Sequence, residues 1–120
     1  MTKTSDAKPR AFGNVEKFVE PCILLLLSKD SSYGYGLMDG LGKHCGHKVD
    51  IGNLYRTLRK MEKNKWIVSD WQKNEIGPDR RTYRITSDGK TILHGAVTSL
   101  IKTYNLLSRF LTGYNKTFRK

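Results

Sequence analysis

Acidic side chains are scarce in this sequence: 11 Asp and Glu stand against 22 Lys and Arg in 120 residues, a formal net charge of +11. Such an imbalance favours polyanionic partners, either nucleic acid or an anionic membrane surface. Long apolar runs are lacking as well. The densest, ILLLL from Ile23 to Leu27, is far short of the roughly 20 residues that a membrane-spanning helix needs. It reads as part of a buried core helix, and no membrane partner is expected. The opening MTKTSDAKPRAFGN has no apolar stretch ending in a small-residue cleavage site, so a flexible basic leader over residues 1–13 of a cytoplasmic protein is expected. Cysteine is nearly absent, and Cys22 and Cys45 are expected as free thiols in a reducing compartment. Catalytic signatures are missing too. There are no paired carboxylates in an apolar setting and no nucleophile motif, and GYGLMDGLG lacks the Lys-Ser/Thr ending of a phosphate-cradling loop. Neither an enzyme nor a cofactor is expected. The length suits one domain with a modest core, completed by a partner chain.

What is present is helical periodicity. Asn14 is placed to cap a helix with Val15, Phe18, Val19, Cys22, Ile23, Leu26 and Leu27 on one face. Pro21 interrupts it, so the regular helix starts after Pro21 or kinks there. Ser31 and Ser32 are candidate caps for a second helix, YGYGLMDGLGKH. Its four glycines weaken it, at roughly 1 kcal/mol each against alanine in a helix interior. Asp50 is placed to cap a third, IGNLYRTLRKMEKNK, whose Ile51, Leu54, Tyr55, Leu58 and Met61 form the apolar face. The strands WIVSDW and RTYRIT follow, joined by KNEIGPDR. Thr86 or Ser87 then caps a last helix. Along it Leu93, Val97, Leu100, Tyr104, Leu107 and Leu111 alternate steps of four and three, the seam of a coiled coil.

Helix, helix, turn, helix and hairpin is the order of a winged helix, so the expected class is mainly α with a small β-hairpin (α+β), followed by a long dimerisation helix. Residues 14–86 form the DNA-binding domain, 87–113 the C-terminal helix and 114–120 a basic tail. Asn53, Arg56 and Thr57 lie on the polar face near the start of the third helix, where such helices read base edges. Lys60 and Lys63 lie further along and suit phosphates, as do Arg80 and Arg81 in the hairpin. A single recognition helix reads few base pairs, so a homodimer on double-stranded DNA with two half-sites follows. The seam supplies the coupling, and the same residues also suit packing on the first helix. His44, Cys45 and His47 bring metal- or haem-ligating side chains together. No CxxC or HxxxH pair accompanies them, and Lys43 and Lys48 repel a cation, so the primary expectation is no metal, with a metal- or haem-responsive regulator as the alternative. A winged-helix module that binds an acidic protein is the other rival.

GYGLMDGL (34–41), NLYRTLRKMEKNKWI (53–67) and GPDRRTYRITSDGKTIL (77–93) make the chain resemble the PadR family of bacterial transcriptional regulators. The resemblance implies a winged-helix homodimer that represses a promoter through an inverted-repeat operator and is released by a small molecule in many members. The short C-terminal region resembles the smaller subgroup, with one dimerisation helix. Gly36 departs from the glutamate usual in the family after the Gly-Tyr pair. Some small members bind flat aromatic effectors between the dimerisation helices, and the matching region contains Tyr104. Trp71, at the far end of the first wing strand, is a further candidate for a pocket.

Overall fold

A computed structural model describes residues 18–46 and 48–119. The elements run α1 (Val19–Lys29), β1 (Ser32–Tyr33), α2 (Gly34–His44), α3 (Ile51–Lys63), β2 (Ile67–Gln72), β3 (Arg80–Ile85) and α4 (Ser87–Phe118). The expected cap Asn14, together with Val15 and the leader, lies outside the described residues. Helix α1 starts at Val19, ahead of Pro21. Pro21 therefore occupies the first turn, where a missing N–H costs nothing because those donors have no intrahelical partner. Cys22, Ile23, Leu24 and Leu27 are the buried residues of α1, which packs against α2, β3 and α4.

The expected serine caps of α2 are not used. Ser32 and Tyr33 form a short strand instead, pairing antiparallel with β3 as Ser32↔Tyr83 and Tyr33↔Thr82. This gives a three-stranded sheet in the order β1-β3-β2. The free edge of β3 offers the segment ladder hydrogen bonds that outweigh a cap. Close packing holds the glycine-rich α2: a Cβ at Gly34 would lie 2.4 Å from the Tyr55 hydroxyl of α3. A larger residue there would displace the Tyr55 ring.

Helix α3 follows its sequence pattern. Asp50 Oδ1 accepts from the Asn53 N–H at 3.0 Å, and Leu54, Leu58 and Met61 are fully buried. Its end is a Schellman turn. Lys65 N–H donates to Glu62 O at 2.9 Å and Trp66 N–H to Met61 O at 3.0 Å, with Lys65 left-handed at φ 66°.

Strands β2 and β3 pair in register from Ile67↔Ile85 to Gln72↔Arg80. Ile67, Tyr83 and Ile85 turn inwards to the core. Thr86 joins three elements: its hydroxyl lies 2.7 Å from Lys65 O and 2.9 Å from Trp66 O, and accepts from the Gly89 N–H at 2.9 Å. Gly89 meets Trp66 so closely that a Cβ would sit 2.1 Å from the Trp66 carbonyl oxygen.

Helix α4 is 32 residues long and ends at Phe118, five residues past the end expected at 113. The segment expected as a loose basic tail is helical up to that point. At 1.5 Å per residue the helix is about 48 Å long. Beyond Leu100 every described residue of α4 is exposed. Among the described residues no helix is long and apolar enough to cross a membrane.

Candidate nucleic-acid interface

The outer face of α3 presents Asn53, Arg56, Arg59, Lys60 and Lys63, all exposed. Asn53 and Arg56 act together, because Arg56 Nη2 donates to Asn53 Oδ1. The amide is thereby oriented with its oxygen towards the guanidinium. Thr57 is half-buried, and its hydroxyl donates to the Asn53 carbonyl at 3.0 Å. That back-bond fixes its rotamer and leaves its hydroxyl oxygen only an acceptor role towards a ligand. Lys60 Nζ lies 3.5 Å from Glu20 Oε2 of α1, which offsets its charge. Among the described residues Lys63 makes no ion pair.

The two wing arginines differ in their surroundings. Arg80 points to the outer face of the sheet, its guanidinium carbon 4.4 Å from the centre of the Tyr33 ring. Stacking on that ring keeps the charge forward and the stem ordered. Arg81 turns back towards α3. Its Nη2 lies 3.6 Å from Glu62 Oε1, and its Nε donates to Ser69 Oγ at 2.8 Å. Ser69 Oγ in turn donates to Glu62 Oε2 at 2.7 Å. The three side chains brace the wing against α3, so Arg81 is a strut before it is a phosphate ligand. Asp79 is occupied in the wing loop, accepting from the Asn74 N–H at 3.2 Å. Beneath the strut, burial pushes the Tyr83 phenol above its ordinary pKa, while Arg81 pulls it down.

Two cations that the sequence pattern did not mark belong to this surface. Arg59 lines the cleft between α3 and the wing, and Lys73 is exposed in the wing loop. Arg59 stands three residues after Arg56 on the wing side of α3, a signal that helical spacing carries. Lys73 sits in an irregular loop, where periodicity gives no direction.

The pocket candidates separate. Trp71, 67% exposed, lines the cleft of about 590 Å³ between α3 and the wing, with Tyr55, Arg59 and Arg81. Tyr104, 70% exposed, lines a different cavity of about 700 Å³ against α1 and α2. The two cavities share no lining residue, so Trp71 and Tyr104 are candidates for two separate pockets.

The seam residues divide too. Leu93 is 8% exposed and spent on the chain's own core, and Leu100 is half-buried. Val97, Tyr104, Leu107 and Leu111 are exposed, and Tyr114 and Phe118 continue the same steps to the end of the helix. The last two rings touch, with centroids 5.0 Å apart.

His44 is exposed and Cys45 half-buried, while His47 lies outside the described residues. Among the described residues no group of three or more His, Cys, Asp or Glu side chains could hold a metal ion. Cys45 instead lines the same cavity as Cys22.

Comparison with known proteins converges on one family. The model of the transcriptional regulator PadR-like family matches residues 23–95. A probable transcriptional regulator of Mycobacterium tuberculosis is 32% identical over 73 residues, covering 59% of this chain and 39% of that protein. The match thus spans about two fifths of that relative's length. A PadR-like transcriptional regulator from Bacillus cereus superposes with a TM-score of 0.69 at 32% identity, over 78% of this chain and 90% of that one. Bacillus subtilis PadR, solved in complex with operator DNA, superposes with a TM-score of 0.62 at 22% identity, over 68% of this chain and 47% of that one. A winged helix whose family match runs from α1 into α4 thus meets these relatives on the elements that carry its cationic face, and the chain belongs to the PadR-like family of transcriptional regulators.

Proposed function

We propose that this chain is a homodimeric repressor that reads an inverted-repeat operator in double-stranded DNA and is released by a small aromatic effector. The observation that carries the reading is the outer face of α3, where Asn53 and Arg56 pair and Lys63 makes no ion pair among the described residues, together with the Arg80 of the wing stacked on Tyr33. Asn and Arg have bidentate matches to adenine and guanine edges in the major groove, and Lys63, Arg59 and Arg80 suit the flanking phosphates. Lys60 and Arg81 contribute less to phosphate binding, because Glu20 and Glu62 hold them. Residues up to Thr86 form the DNA-binding unit and α4 the clamp. The exposed row Val97, Tyr104, Leu107 and Leu111 meets the same row of a second copy, which brings two recognition helices to successive half-sites. The apolar cavity beside Tyr104 suits a flat effector, because there it touches both the clamp and α1.

Selection of binding sites from random duplex DNA, with light scattering of the free protein, tests this directly. Recovery of an inverted repeat by a dimer is the expected result. A dimer without sequence preference would favour the rival in which the positive surface meets an acidic protein, and a monomer would remove the half-site geometry.

A further inference from the structure

A pair of thiols lies away from the DNA-facing surface, under the turn that leads into α3. Cys22 of α1 is 4% exposed, and Cys45, the C-cap of α2, is half-buried against the same core. Both line the cavity that also holds Tyr104, and the Cys45 thiol is close enough to help raise the pKa of the Cys22 thiol. They are the only two cysteines of the chain.

We propose that Cys22 and Cys45 are a modification site for hydroperoxides, closing to a reversible disulfide that shifts the α2–α3 turn and lowers affinity for DNA. The disulfide rests on the placement of both thiols along one cavity where α1 packs against α2, and the effect on affinity rests on the DNA-binding reading above.

The half-exposed Cys45 meets the oxidant first. Its sulfur attacks the peroxide O–O bond, which breaks to leave a sulfenic acid on Cys45 and release an alcohol or water. The Cys22 sulfur then attacks the Cys45 sulfur. The S–O bond breaks, and hydroxide departs with the Cys22 proton as water. Together the two sulfurs lose two electrons, and the peroxide gains them. The order follows from the surroundings of Cys22. Burial, and then the neighbouring Cys45 thiol, pushes its thiol up to about 12, so it reacts poorly until an electrophilic sulfur is in contact. In a reducing compartment the bond returns to two thiols by exchange.

Closing the bond has a mechanical consequence. A disulfide holds its sulfurs about 2.05 Å apart, well inside hydrogen-bond contact, so Cys45 is drawn towards α1. The Cys45 N–H donates to Leu41 O at 3.1 Å, and Gly46 follows in the left-handed region at φ 68°. That connection ends at Asp50, whose carboxylate caps α3. Displacing one end of so short a link displaces the start of the recognition helix, where Asn53 and Arg56 stand.

The test treats the full-length reduced protein with hydrogen peroxide, alkylates what remains, and measures intact mass and non-reducing electrophoretic mobility. Expected is the loss of two hydrogens and of both alkylatable thiols without a cross-link between chains. Dithiothreitol should reverse the change, and Cys45→Ser and Cys22→Ala should abolish it. Two thiols that remain alkylatable, or an intermolecular cross-link, overturn the site. Affinity for the duplex recovered by selection should fall about tenfold on oxidation, within the usual range of coupling between sites, and should not change in Cys45→Ser. Equal affinity of the oxidised and reduced forms overturns the switch. If no duplex is recovered, the switch falls together with the DNA-binding reading, while mass still decides the disulfide.

Discussion

The Arg81 guanidinium lies 3.6 Å from the Glu62 carboxylate, and Ser69 bonds to both side chains, so the wing is fastened to α3 through a carboxylate in the cleft between them, a surface that the proposed function places near DNA. Removing a negative charge close to DNA ordinarily strengthens binding, because repulsion of phosphates disappears. The strut predicts the opposite for Glu62→Gln: weaker binding, with a salt slope no steeper than that of the parent. Arg81→Ala should also weaken binding while leaving the slope nearly unchanged, whereas Arg80→Ala should flatten it by roughly one unit. In unfolding, the Glu62/Arg81 double-mutant cycle should give about 0.5–1 kcal/mol of coupling, the range of a partly exposed pair. Tighter binding by Glu62→Gln would reject the strut.

On α3, Arg56→Ala should cost about 1–3 kcal/mol on the selected site and relax preference at one base position. Asn53 should lose part of its own effect in that background, because Arg56 donates to its side-chain oxygen and orients the amide. Lys63→Ala should weaken selected and random duplexes alike. Titrations on both duplexes at several salt concentrations separate the two patterns, and equal losses from Arg56→Ala on both would remove its role as a base reader.

Helices α3 and α4 are legible in the sequence because burial follows helical spacing: Leu54, Leu58 and Met61 are where the period puts them, and Asp50 and Thr86 cap as their chemistry suggests. Strand β1 is not legible, since two residues are too few to show alternation and only the edge of β3, far along the chain, makes them a strand. For the same reason the direction of Arg81 escapes a sequence reading. Its partners Glu62 and Ser69 are brought close by the hairpin register and by the packing of α3, neither of which local composition encodes. Tyr114 and Phe118 continued the seam in plain view, but Lys116, Arg119 and Lys120 around them resembled a loose basic tail.

The two ends of the α4 seam should respond differently to substitution. Leu93→Ala removes a side chain buried in the chain's own core and should cost at least about 2 kcal/mol of stability in the monomer and dimer alike. Leu107→Glu with Leu111→Glu changes only exposed positions, so the mass in solution should halve while the near-UV spectrum of the winged-helix core is retained. Sedimentation across a range of concentrations reads the first effect. A double variant that remains dimeric would place the contact elsewhere.

Thr86 ends the wing, anchors it to the end of α3 and caps α4, all through one hydroxyl. Thr86→Ala should destabilise the fold by about 1–2 kcal/mol, the cost of losing a cap with partly buried hydrogen bonds, and Thr86→Ser should recover most of it. Denaturant midpoints at constant slope provide the comparison. Similar losses in both variants would assign the effect to the methyl group and its packing.

Lys65 is the one non-glycine residue in the left-handed region among the described residues, at φ 66°. It holds that conformation because the Schellman turn needs it: the Lys65 and Trp66 N–H groups satisfy the carbonyls of Glu62 and Met61, and the Trp66 carbonyl then lies ready for Thr86. A side chain there costs free energy that glycine avoids, partly offset by glycine's greater entropy in the unfolded chain. Lys65→Gly should therefore raise stability by roughly 0.5–1 kcal/mol, whereas Lys65→Val should lower it, because a β-branched side chain fits this region worst. The substitution also removes a positive charge from the end of α3, so Lys65→Asn, which keeps the conformation without either charge or glycine, is the informative control. Stabilisation by both Gly and Asn, measured by thermal unfolding at moderate salt, assigns the gain to the backbone; destabilisation by both would mean that the Lys65 side chain carries the turn through its charge.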